Sequence, residues 1–354
     1  MKVLSLFSGI GAFEKALVNL GVPCDLVAFC EIDKYAARSY AAIHGVSESM
    51  NIGDITKVNE KNLPKDIDLV TYGFPCQDIS LCGDQKGLFN ADGTQTRSGL
   101  FFDALRIIEE TQPKVAIAEN VKNLASKKFA LQFKIILDSL RAAGYNNYWQ
   151  ILNAKKYGIP QNRERVFIVS IRKDIDNGKF EFPKPCELNL RLQDLLEDEV
   201  DEKYFLSEKG VQYVTEPSRL SKSYTQIDGD VALCVTAMSG LNWTGTFVSV
   251  PINTAPDGTC RAIKAQYYKT GPANLFRTST FGATGVLDGK RLRKFTPKEC
   301  FRLMGFYDSD FEKAEAVNSN TQLYKQAGNS IVVPVVQNIV RSLFDCGALK
   351  EVSE

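Results

Sequence analysis

Short apolar runs alternate with longer helix-like segments through the first half of the chain. The runs are rich in β-branched and aromatic residues and predict buried strands at 3–6, 26–30, 67–72, 115–118 and 166–171. The intervening segments predict helices at 12–20, 35–43, 99–111 and 129–143. This alternation is typical of an α/β fold, in which ligands bind at the carboxyl ends of the strands.

The pattern changes near residues 182–185, which read Phe-Pro-Lys-Pro. From there to about residue 289 the helical periodicity weakens and Gly, Thr, Ser and Tyr become more frequent, so we predict a separate, smaller β-rich region. A helix then opens at Thr296-Pro297 and ends near Gly305, and an apolar helix follows at 331–344. A length of 354 residues suits one large α/β domain plus a smaller one, or two ordinary domains.

Composition and charge narrow the class of protein. The chain is 44% hydrophobic and 24% charged, as expected for a soluble protein with a substantial core. The apolar run at 1–7 is too short for a signal peptide and no later run approaches a membrane span, so we expect a cytoplasmic protein without a membrane partner. A net charge of +1 argues mildly against nucleic acid, but charge segregates, because 155–173 and 290–302 are basic-rich and 194–202 is acidic.

The cysteines and the histidine argue against two kinds of site. Nine cysteines occur singly, none forms Cys-x-x-Cys, and the odd count argues against a disulfide framework. His44 is the only histidine, so we predict no metal site. A Ser-His-Asp mechanism would have to use His44, which lies at the end of a predicted helix without neighbouring motif residues.

Two strand ends carry reactive side chains. Gly73 and Pro75 end the strand at 67–72 sharply and present Cys76 at its carboxyl end. A free cysteine is more often a core residue than a catalyst, so this segment alone leaves a nucleophile and a buried thiol both open. Glu119 ends the next predicted strand and supplies a second reactive group at such a position.

Three other strand ends outline a pocket for an adenosine-bearing cofactor. Gly9 and Gly11 let the backbone turn tightly after the first strand. Glu31 follows the second strand about 20 residues beyond the glycines, where a carboxylate would bind ribose hydroxyls, and a helix cap is the competing explanation for nearby Asp33. Asp54 follows a short third strand and suits an adenine amino group. No phosphate-loop motif follows, so ATP is not favoured.

Two polar stretches each have alternative interpretations. Residues 81–98 form a long glycine-containing loop with the donors Gln85, Lys86 and Arg97, which is typical of a lid or a disordered insert. Arg163 and Arg165 alternate, so they project to the same side if the chain is extended there, and surface solvation is the alternative.

Six segments taken together resemble the DNA (cytosine-5)-methyltransferase family of bacterial and phage type. Their order matches the family's and they span nearly the whole chain, except 183–289, where the family keeps its target-recognition domain. Ser5 is a departure, because many members have an acid at this position before the phenylalanine. The six segments are Phe7-Ser8-Gly9-Ile10-Gly11, Gly53-Asp54-Ile55-Thr56, Gly73-Phe74-Pro75-Cys76-Gln77, Glu119-Asn120-Val121, Gln161-Asn162-Arg163-Glu164-Arg165 and Gln326-Ala327-Gly328-Asn329-Ser330.

The resemblance implies a Rossmann-like class I methyltransferase fold, an α/β sheet of seven mostly parallel strands that binds S-adenosyl-L-methionine. The catalytic domain would comprise residues 1–182 plus 290–354, with a smaller β-rich target-recognition domain inserted at 183–289. By motif position, the cofactor would be bound by Phe7, Gly9, Ile10, Gly11, Glu31, Ile32, Asp54, Ile55, Pro75, Leu100, Asn329 and Ser330.

The resemblance also implies the reaction, which is methylation of cytosine C5 within a specific duplex DNA sequence. Cys76 would add to C6 of the base, and a protonated Glu119 with its pKa raised by burial would donate to N3. Arg163 and Arg165 would contact the base carbonyl, the Glu119 carboxylate or a phosphate. The target base would be flipped out of the duplex to reach them.

Further DNA contacts are implied for the polar loop and for the recognition domain. The loop would act as the lid and bring Cys82, Gln85, Lys86 and Arg97 to DNA. In the recognition domain the candidates, for each of which an ordinary strand residue is the alternative, are Tyr267, Lys269, Arg277, Thr278, Ser279 and Thr280. We expect a monomer that acts on double-stranded DNA, and a cognate restriction endonuclease would not be a stable partner.

A tRNA cytosine-5 methyltransferase shares these catalytic motifs and is the nearest alternative. That subfamily carries a Cys-Phe-Thr signature in the recognition region, and the closest match here is Cys260-Arg261-Ala262, so DNA is favoured. Intact Cys76, Glu119 and Arg165 argue against a non-catalytic binding module. A nicotinamide oxidoreductase would give the Pro-Cys-Gln and Glu-Asn-Val strand ends no role.

Overall fold

The computed structural model describes residues 1–75, 87–90, 92–240, 243–251, 286–287 and 290–350. Predicted site residues that lie outside these ranges are Cys76, Cys82, Gln85, Lys86, Tyr267, Lys269, Arg277, Thr278, Ser279 and Thr280. All the other predicted site residues are described, so the structure places each of them.

The strands of the described residues form one large and two small sheets. In chain order they are β1 (Lys2–Leu6), β2 (Asp25–Cys30), β3 (Leu69–Tyr72), β4 (Val115–Val121), β5 (Tyr145–Asn153), β6 (Gln161–Asn162), β7 (Glu164–Arg172), β8 (Thr225–Ile227), β9 (Ala232–Leu233), β10 (Gly245–Pro251), β11 (Val286–Leu287) and β12 (Lys290–Arg293). The large sheet has six strands in the order β2-β1-β3-β4-β7-β5. Its first four strands are parallel, so their carboxyl ends share one edge, and β7 runs antiparallel to β4 and β5.

Most of the helices contribute to the cores of this sheet, and two short helices at 208–214 and 217–221 lie beside the four-stranded sheet. The helices are α1 (Ala12–Asn19), α2 (Lys34–His44), α3 (Phe101–Thr111), α4 (Ala130–Ala142), α5 (Glu208–Val214), α6 (Pro217–Ser221), α7 (Pro297–Leu303), α8 (Asp308–Glu315), α9 (Asn320–Asn329) and α10 (Val333–Asp345). Short 3-10 helices lie at Glu48–Met50, Ile55–Lys57, Glu60–Asn62, Ser98–Leu100, Lys122–Ala125, Lys127–Phe129, Ala154–Lys156, Leu192–Leu195 and Glu202–Tyr204. Among the helices described, none has the length and apolar character needed to cross a membrane.

Two apolar cores cover the two faces of the large sheet. Successive strand residues face opposite layers, so Val3 and Leu69 belong to one core while Leu4 and Val70 belong to the other. The first core continues into α1 and α10, which pack against each other, and the second continues into α3 and α4. This three-layer arrangement around a mostly parallel sheet confirms the predicted α/β class I fold.

The predicted third strand before Gly53 is reduced to a single parallel bridge between Phe29 and Asn51. The Asn51 side chain makes the bonds that a strand ladder would otherwise make. Its amide Nδ2 donates to the Glu31 carbonyl at 2.9 Å, and its Oδ1 accepts from the N–H groups of Glu31 and Gly53, both at 3.0 Å. Within the described residues the large sheet therefore has six strands, not the seven that the resemblance implies.

The β-rich region contains a four-stranded sheet in the order β11-β12-β10-β8. Its own small core consists of Leu206, Val211, Val214, Phe247 and Leu292. β12 pairs antiparallel with β10, so this sheet continues past residue 289 to Arg293.

The junction between the small sheet and α7 is fixed by a buried ion pair. Arg293 is 2% exposed, and its two Nη atoms donate to the two carboxylate oxygens of Glu299 at 2.8 and 2.7 Å. Thr296 caps α7 reciprocally with Glu299, and Pro297 occupies the first turn, which confirms the predicted helix start. The bidentate geometry holds the end of β12 in one orientation against the helix.

Candidate active site

The ends of β3 and β4 meet as the sequence predicts. The parallel register pairs Tyr72 with Ala118, so the next residues, Gly73 and Glu119, are neighbours. A Cβ at Gly73 would lie 3.8 Å from Oε2 of Glu119 and 3.9 Å from Cδ1 of Ile331. The segment that leads to Cys76 therefore lies beside Glu119 and beside the residues that follow α9.

Glu119 is paired with Arg165 at this edge. In the antiparallel pairing of β4 and β7, Arg165 lies opposite Val121 and so diagonally across from Glu119. Its Nε lies 3.0 Å from Oε1 of Glu119, and the two side chains are 20% and 13% exposed. Burial raises the pKa of Glu119, while the guanidinium groups of Arg165 and Arg163 act in the opposite direction. This carboxyl group therefore holds a proton more readily than an exposed glutamate would.

Arg163 and Arg165 lie close to each other, as their alternation in the sequence predicts. Arg163 occupies the single residue between β6 and β7, and the side chains of both arginines contact the Cys234 thiol. Arg163 is 3% exposed, and its guanidinium donates to the carbonyl oxygens of Val235 at 2.7 Å, Gly328 at 3.0 Å and Ser330 at 2.7 Å. The two arginines thus share Cys234, and Arg165 makes the ion pair with Glu119.

The glycine turn after β1 bonds directly to Glu31. The backbone N–H groups of Gly9 and Asp33 donate to the two carboxylate oxygens of Glu31, each at 2.8 Å. Burial raises the pKa of Glu31, and these two backbone donors counteract the rise. Asp33 itself caps α2 through a bond from Tyr35 N at 3.0 Å, so the helix-cap explanation applies to Asp33 and leaves Glu31 facing the turn.

Ile32 and Asp54 complete the open side of this pocket. Ile32 is 75% exposed, an apolar side chain left uncovered directly after Glu31. Asp54 accepts from the backbone N–H and the hydroxyl of Thr56 through Oδ1, at 3.1 and 2.8 Å. The bond from the Thr56 hydroxyl lowers the pKa of Asp54, so this carboxylate stays ionised as an acceptor.

The remaining predicted cofactor residues divide into three groups. Ile10 and Ile55 are 2% and 4% exposed, and their side chains lie in the two cores and not at the open edge. Asn329 is exposed and Ser330 is buried at the end of α9. The residues that are half-buried at the open edge are Phe7, Gly9, Pro75 and Leu100.

Gly11 is required by the packing beneath the turn. It has a φ of 78°, and a Cβ at this position would lie 2.1 Å from Nε2 of His44. The same ring nitrogen lies 3.1 Å from the Ile10 carbonyl oxygen, and burial lowers the pKa of His44 to about 4. His44 is therefore a neutral packing residue under the turn.

Sequence analysis missed a buried acid in the same layer. Glu14 in α1 is 4% exposed, and neither of its carboxylate oxygens makes a hydrogen bond of normal geometry with the described residues. Burial raises its pKa to about 7, although the hydroxyls of Ser5 and Thr71 lower it. Glu14 thus neighbours Ser5, the position noted above as a departure from the family pattern. The signal was a glutamate in the first turn of the helix after the glycines.

The described half of the predicted lid is attached to the catalytic core. Leu88 is 1% exposed, and the Thr96 hydroxyl donates to the Gly87 carbonyl oxygen at 2.6 Å. Phe89 forms an antiparallel bridge with Gln95, the Thr96 N–H donates to the Leu88 carbonyl oxygen at 3.0 Å, and Arg97 is exposed after this pairing. The other predicted lid residues lie in the part of the chain that is not described. No group of three His, Cys, Asp or Glu suited to a metal occurs among the residues that are described.

Comparison with known proteins gives the family. The model of the family C-5 cytosine-specific DNA methylase matches residues 1–345. The chain is 34% identical to the Orphan methyltransferase M.SPBetaI of Bacillus phage SPbeta, across 99% of both chains. It is also 34% identical to the Type II methyltransferase M.HhaI of Haemophilus parahaemolyticus, across 97% of this chain and 94% of that protein.

Solved structures agree on the fold. The Entamoeba histolytica methyltransferase EhMeth aligns with a TM-score of 0.69 at 20% identity, covering 98% of each chain. The S. pombe Dnmt2 methyltransferase aligns with a TM-score of 0.65 at 22% identity, also covering 98% of each. Because the family model spans nearly the whole chain and full-length relatives exceed 30% identity, this methyltransferase belongs to the C-5 cytosine-specific DNA methylase family.

Proposed function

We propose that this protein methylates C5 of cytosine within a specific sequence of double-stranded DNA, with S-adenosyl-L-methionine as methyl donor. The observation that carries the proposal is the Glu119–Arg165 pair, which lies beside Gly73 in the segment leading to Cys76. Membership of the family supports DNA as the substrate class.

The residues at the ends of β1 and β2 fit S-adenosylmethionine. Each carboxylate oxygen of Glu31 has one backbone donor, so lone pairs remain to accept from two ribose hydroxyls. The exposed Ile32 side chain offers an apolar contact for adenine, and ionised Asp54 offers an acceptor for the adenine amino group. When bound, the cofactor supplies an electrophilic methyl group on a sulfonium sulfur.

Cys76 and Glu119 make cytosine reactive. C5 is a poor nucleophile in the intact aromatic ring, so the Cys76 thiolate adds to C6 and the ring electrons move toward C5 and N3. Protonated Glu119 donates to N3 and neutralises the charge that develops there, a role that its raised pKa favours. Arg165 holds the Glu119 carboxyl group in place, and its guanidinium would donate to the base carbonyl.

The reaction ends when the thiol is released. Once C5 carries the methyl group, water removes the C5 proton, the C6–S bond breaks, and the electrons restore the C5=C6 double bond. Glu119 recovers its proton from N3 and Cys76 leaves as a thiolate. Both reacting carbons are stacked inside duplex DNA, so the base is flipped into the site before the thiol adds.

The domain assignment belongs to the same proposal. Residues 1–182 and about 290–354 form the catalytic domain, and residues 183–289 form the target-recognition domain that reads the flanking bases. The pairing of β12 with β10 supports moving the end of the recognition domain to Arg293. The loop at 81–98 covers the flipped base.

The proposal is tested by methyl transfer with Cys76→Ser. Purified protein should transfer labelled methyl groups to unmethylated duplex DNA, and single-base mapping should place them on cytosine. Cys76→Ser should lower kcat on the order of 10³-fold or more, because a hydroxyl at this position is not ionised and does not add to C6. Cofactor binding, measured by calorimetry, should stay close to that of the native protein.

The matched control is Cys186→Ser, which changes an exposed cysteine in the β-rich region and should leave kcat unchanged. An active Cys76→Ser protein would contradict the covalent mechanism. Methyl transfer to tRNA and not to DNA would contradict the proposed substrate.

A further inference from the structure

Three separate segments of the chain meet at one buried guanidinium. Arg163 donates to the carbonyl oxygen of Val235, which lies in the β-rich region, and to those of Gly328 and Ser330 at the end of α9. We call Arg163 with these three carbonyl oxygens the Arg163 clamp. The described residues show no carboxylate in hydrogen-bonding contact with this side chain, and its Nη1 also lies 3.4 Å from Sγ of Cys234.

The segment 232–237 is held against α9 by further contacts. β9 pairs parallel with β6, and the Gln161 side chain accepts from Val235 N at 3.1 Å while donating to the Leu303 carbonyl at 2.8 Å. A Cβ at Gly328 would lie 2.0 Å from the Ala237 nitrogen, so only glycine lets the two backbones come this close. The end of α9 and segment 232–237 are therefore in direct backbone contact.

The other side of α9 is bonded to the cofactor half of the site. Lys325 Nζ lies 2.6 Å from Oδ2 of Asp33, whose N–H donates to the Glu31 carboxylate. Gln326 accepts from the Ser39 hydroxyl at 2.8 Å and donates to the Tyr35 carbonyl at 3.1 Å. The end of α9 thus contacts the elements around Glu31 on one side and the Arg163 clamp on the other.

Joining chain segments through a buried cation and neutral carbonyl oxygens costs desolvation free energy. Removing a charge from water is unfavourable unless its hydrogen bonds are well satisfied, and an apolar side chain would avoid this penalty. What arginine adds is a planar group whose donors point in fixed directions and contact several carbonyl oxygens at once. The fixed geometry makes the positions of Val235, Gly328 and Ser330 depend on one another.

We propose that Arg163 is a positioning residue that couples cofactor binding at the end of α9 to the position of segment 232–237, and through that segment to DNA binding by the proposed target-recognition domain. This inference rests on the function proposed above, with the cofactor near Asn329 and Ser330. Bound cofactor orders the end of α9 and so fixes the carbonyl oxygens of Gly328 and Ser330. Arg163 then fixes the third carbonyl oxygen of the clamp, that of Val235. By reciprocity, cofactor and DNA each tighten binding of the other by the same factor, and loss of the clamp brings that factor toward one.

The test is to measure the coupling factor and not affinity alone. The dissociation constant of the target duplex is measured with and without saturating S-adenosylhomocysteine for the native protein and Arg163→Lys. We expect a native factor on the order of 5 to 150, typical of coupled sites, and a several-fold smaller factor in the variant. Lysine keeps the charge but its single nitrogen does not reproduce the planar fork.

A matched control is Arg172→Lys at the other end of β7. Arg172 also bonds a backbone carbonyl, that of Gln112, and pairs with Asp174 on the surface. This variant should keep the native coupling factor. A second variant, Gln161→Met, removes the bond to Val235 N and leaves Arg163 in place, and it should lower the factor to a smaller extent.

Each outcome decides the proposal. A native factor in Arg163→Lys, or a factor of one in the native protein, would overturn it. If thermal unfolding shows that Arg163→Lys is not folded, Gln161→Met decides: a lowered factor supports the coupling and an unchanged one refutes it. Failure of the native protein to bind DNA would instead refute the proposed function, and the coupling with it.

Discussion

Two glutamates lie at neighbouring parts of the sheet edge, but one is bonded to neutral backbone groups and the other to a charged side chain. Glu31, after β2, accepts from two backbone N–H groups, whereas Glu119, in β4, is paired with the guanidinium of Arg165. Burial raises the pKa of both carboxyl groups. The backbone donors are neutral and fixed by the fold, so they hold Glu31 as a steady acceptor. At Glu119 the charge of Arg165 favours the ionised form while burial favours the protonated form.

Glu14 extends this comparison to a third acid. Neither of its carboxylate oxygens makes a hydrogen bond of normal geometry with the described residues, and burial raises its pKa to about 7. All three residues are glutamates, and they lie in the same region of the fold. These different surroundings fit the binding role that we propose for Glu31 and the catalytic role that we propose for Glu119, and they give Glu14 a pH-dependent effect on stability.

Among the substitutions of these three glutamates, Glu119→Gln should have the largest effect, and it should act on kcat. The amide keeps the shape of the side chain but has no acidic proton for N3, so kcat should fall about 10²- to 10⁴-fold, as for loss of a general acid. Cofactor affinity measured by calorimetry should hardly change. The native kcat should decline as the pH rises through the pKa of Glu119, because the acid form is lost, and the variant should lack this decline. An active variant would mean that Glu119 only binds the base.

Glu14→Gln should change the pH dependence of stability. In the native protein the buried carboxyl group of Glu14 stabilises the fold at pH values where it is protonated in both the folded and the unfolded state. That contribution is lost as the pH rises from the ordinary pKa of 4.5 to about 7, because the unfolded state releases its proton first. The loss amounts to about 3 kcal/mol in the free energy of unfolding.

The measurement for Glu14 is urea unfolding at pH 5 and pH 8. Glu14→Gln should show a smaller drop between these pH values than the native protein. The exposed Glu48→Gln is the control and should keep the native drop. Equal drops in all three proteins would show that Glu14 is not the titrating group.

Of the three substitutions, Glu31→Gln should have the smallest effect, and it should change cofactor affinity and not kcat. The amide nitrogen of the glutamine would face one of the two backbone N–H groups that donate to Glu31. The negative charge that favours hydrogen bonds from two ribose hydroxyls would also be lost. Affinity for S-adenosylhomocysteine should fall roughly ten- to a hundredfold, the usual value of hydrogen bonds to a charged group. At saturating cofactor, kcat should stay near the native value. A large fall in kcat at saturation would remove the distinction between Glu31 and Glu119.

Sequence reasoning succeeded where a local pattern carries the geometry. Strands that run parallel bring their carboxyl ends to one edge, so Glu31, Gly73 and Glu119 could be placed at that edge from strand and turn signals alone. The cap at Thr296 and Pro297 was likewise visible, because helix starts depend on residues next to each other in the chain.

It failed where long-range contacts decide the outcome. The partners of Arg163 lie in two distant segments, so nothing beside it in the sequence separates it from Arg165. The side chains of Ile10 and Ile55 lie in the two cores, and a motif position does not say which way a side chain packs. The third strand is replaced by the side-chain bonds of Asn51, which strand propensity does not register.

The packing of His44 beneath the glycine turn gives the molecule a built-in spectroscopic reporter. Its ring nitrogen contacts the Ile10 carbonyl oxygen, and it is the only histidine in 354 residues. With a pKa of about 4, the ring stays neutral at and above pH 6, so its NMR signals do not shift by titration in that range. A single imidazole spectrum therefore follows the conformation of the turn without any engineered label.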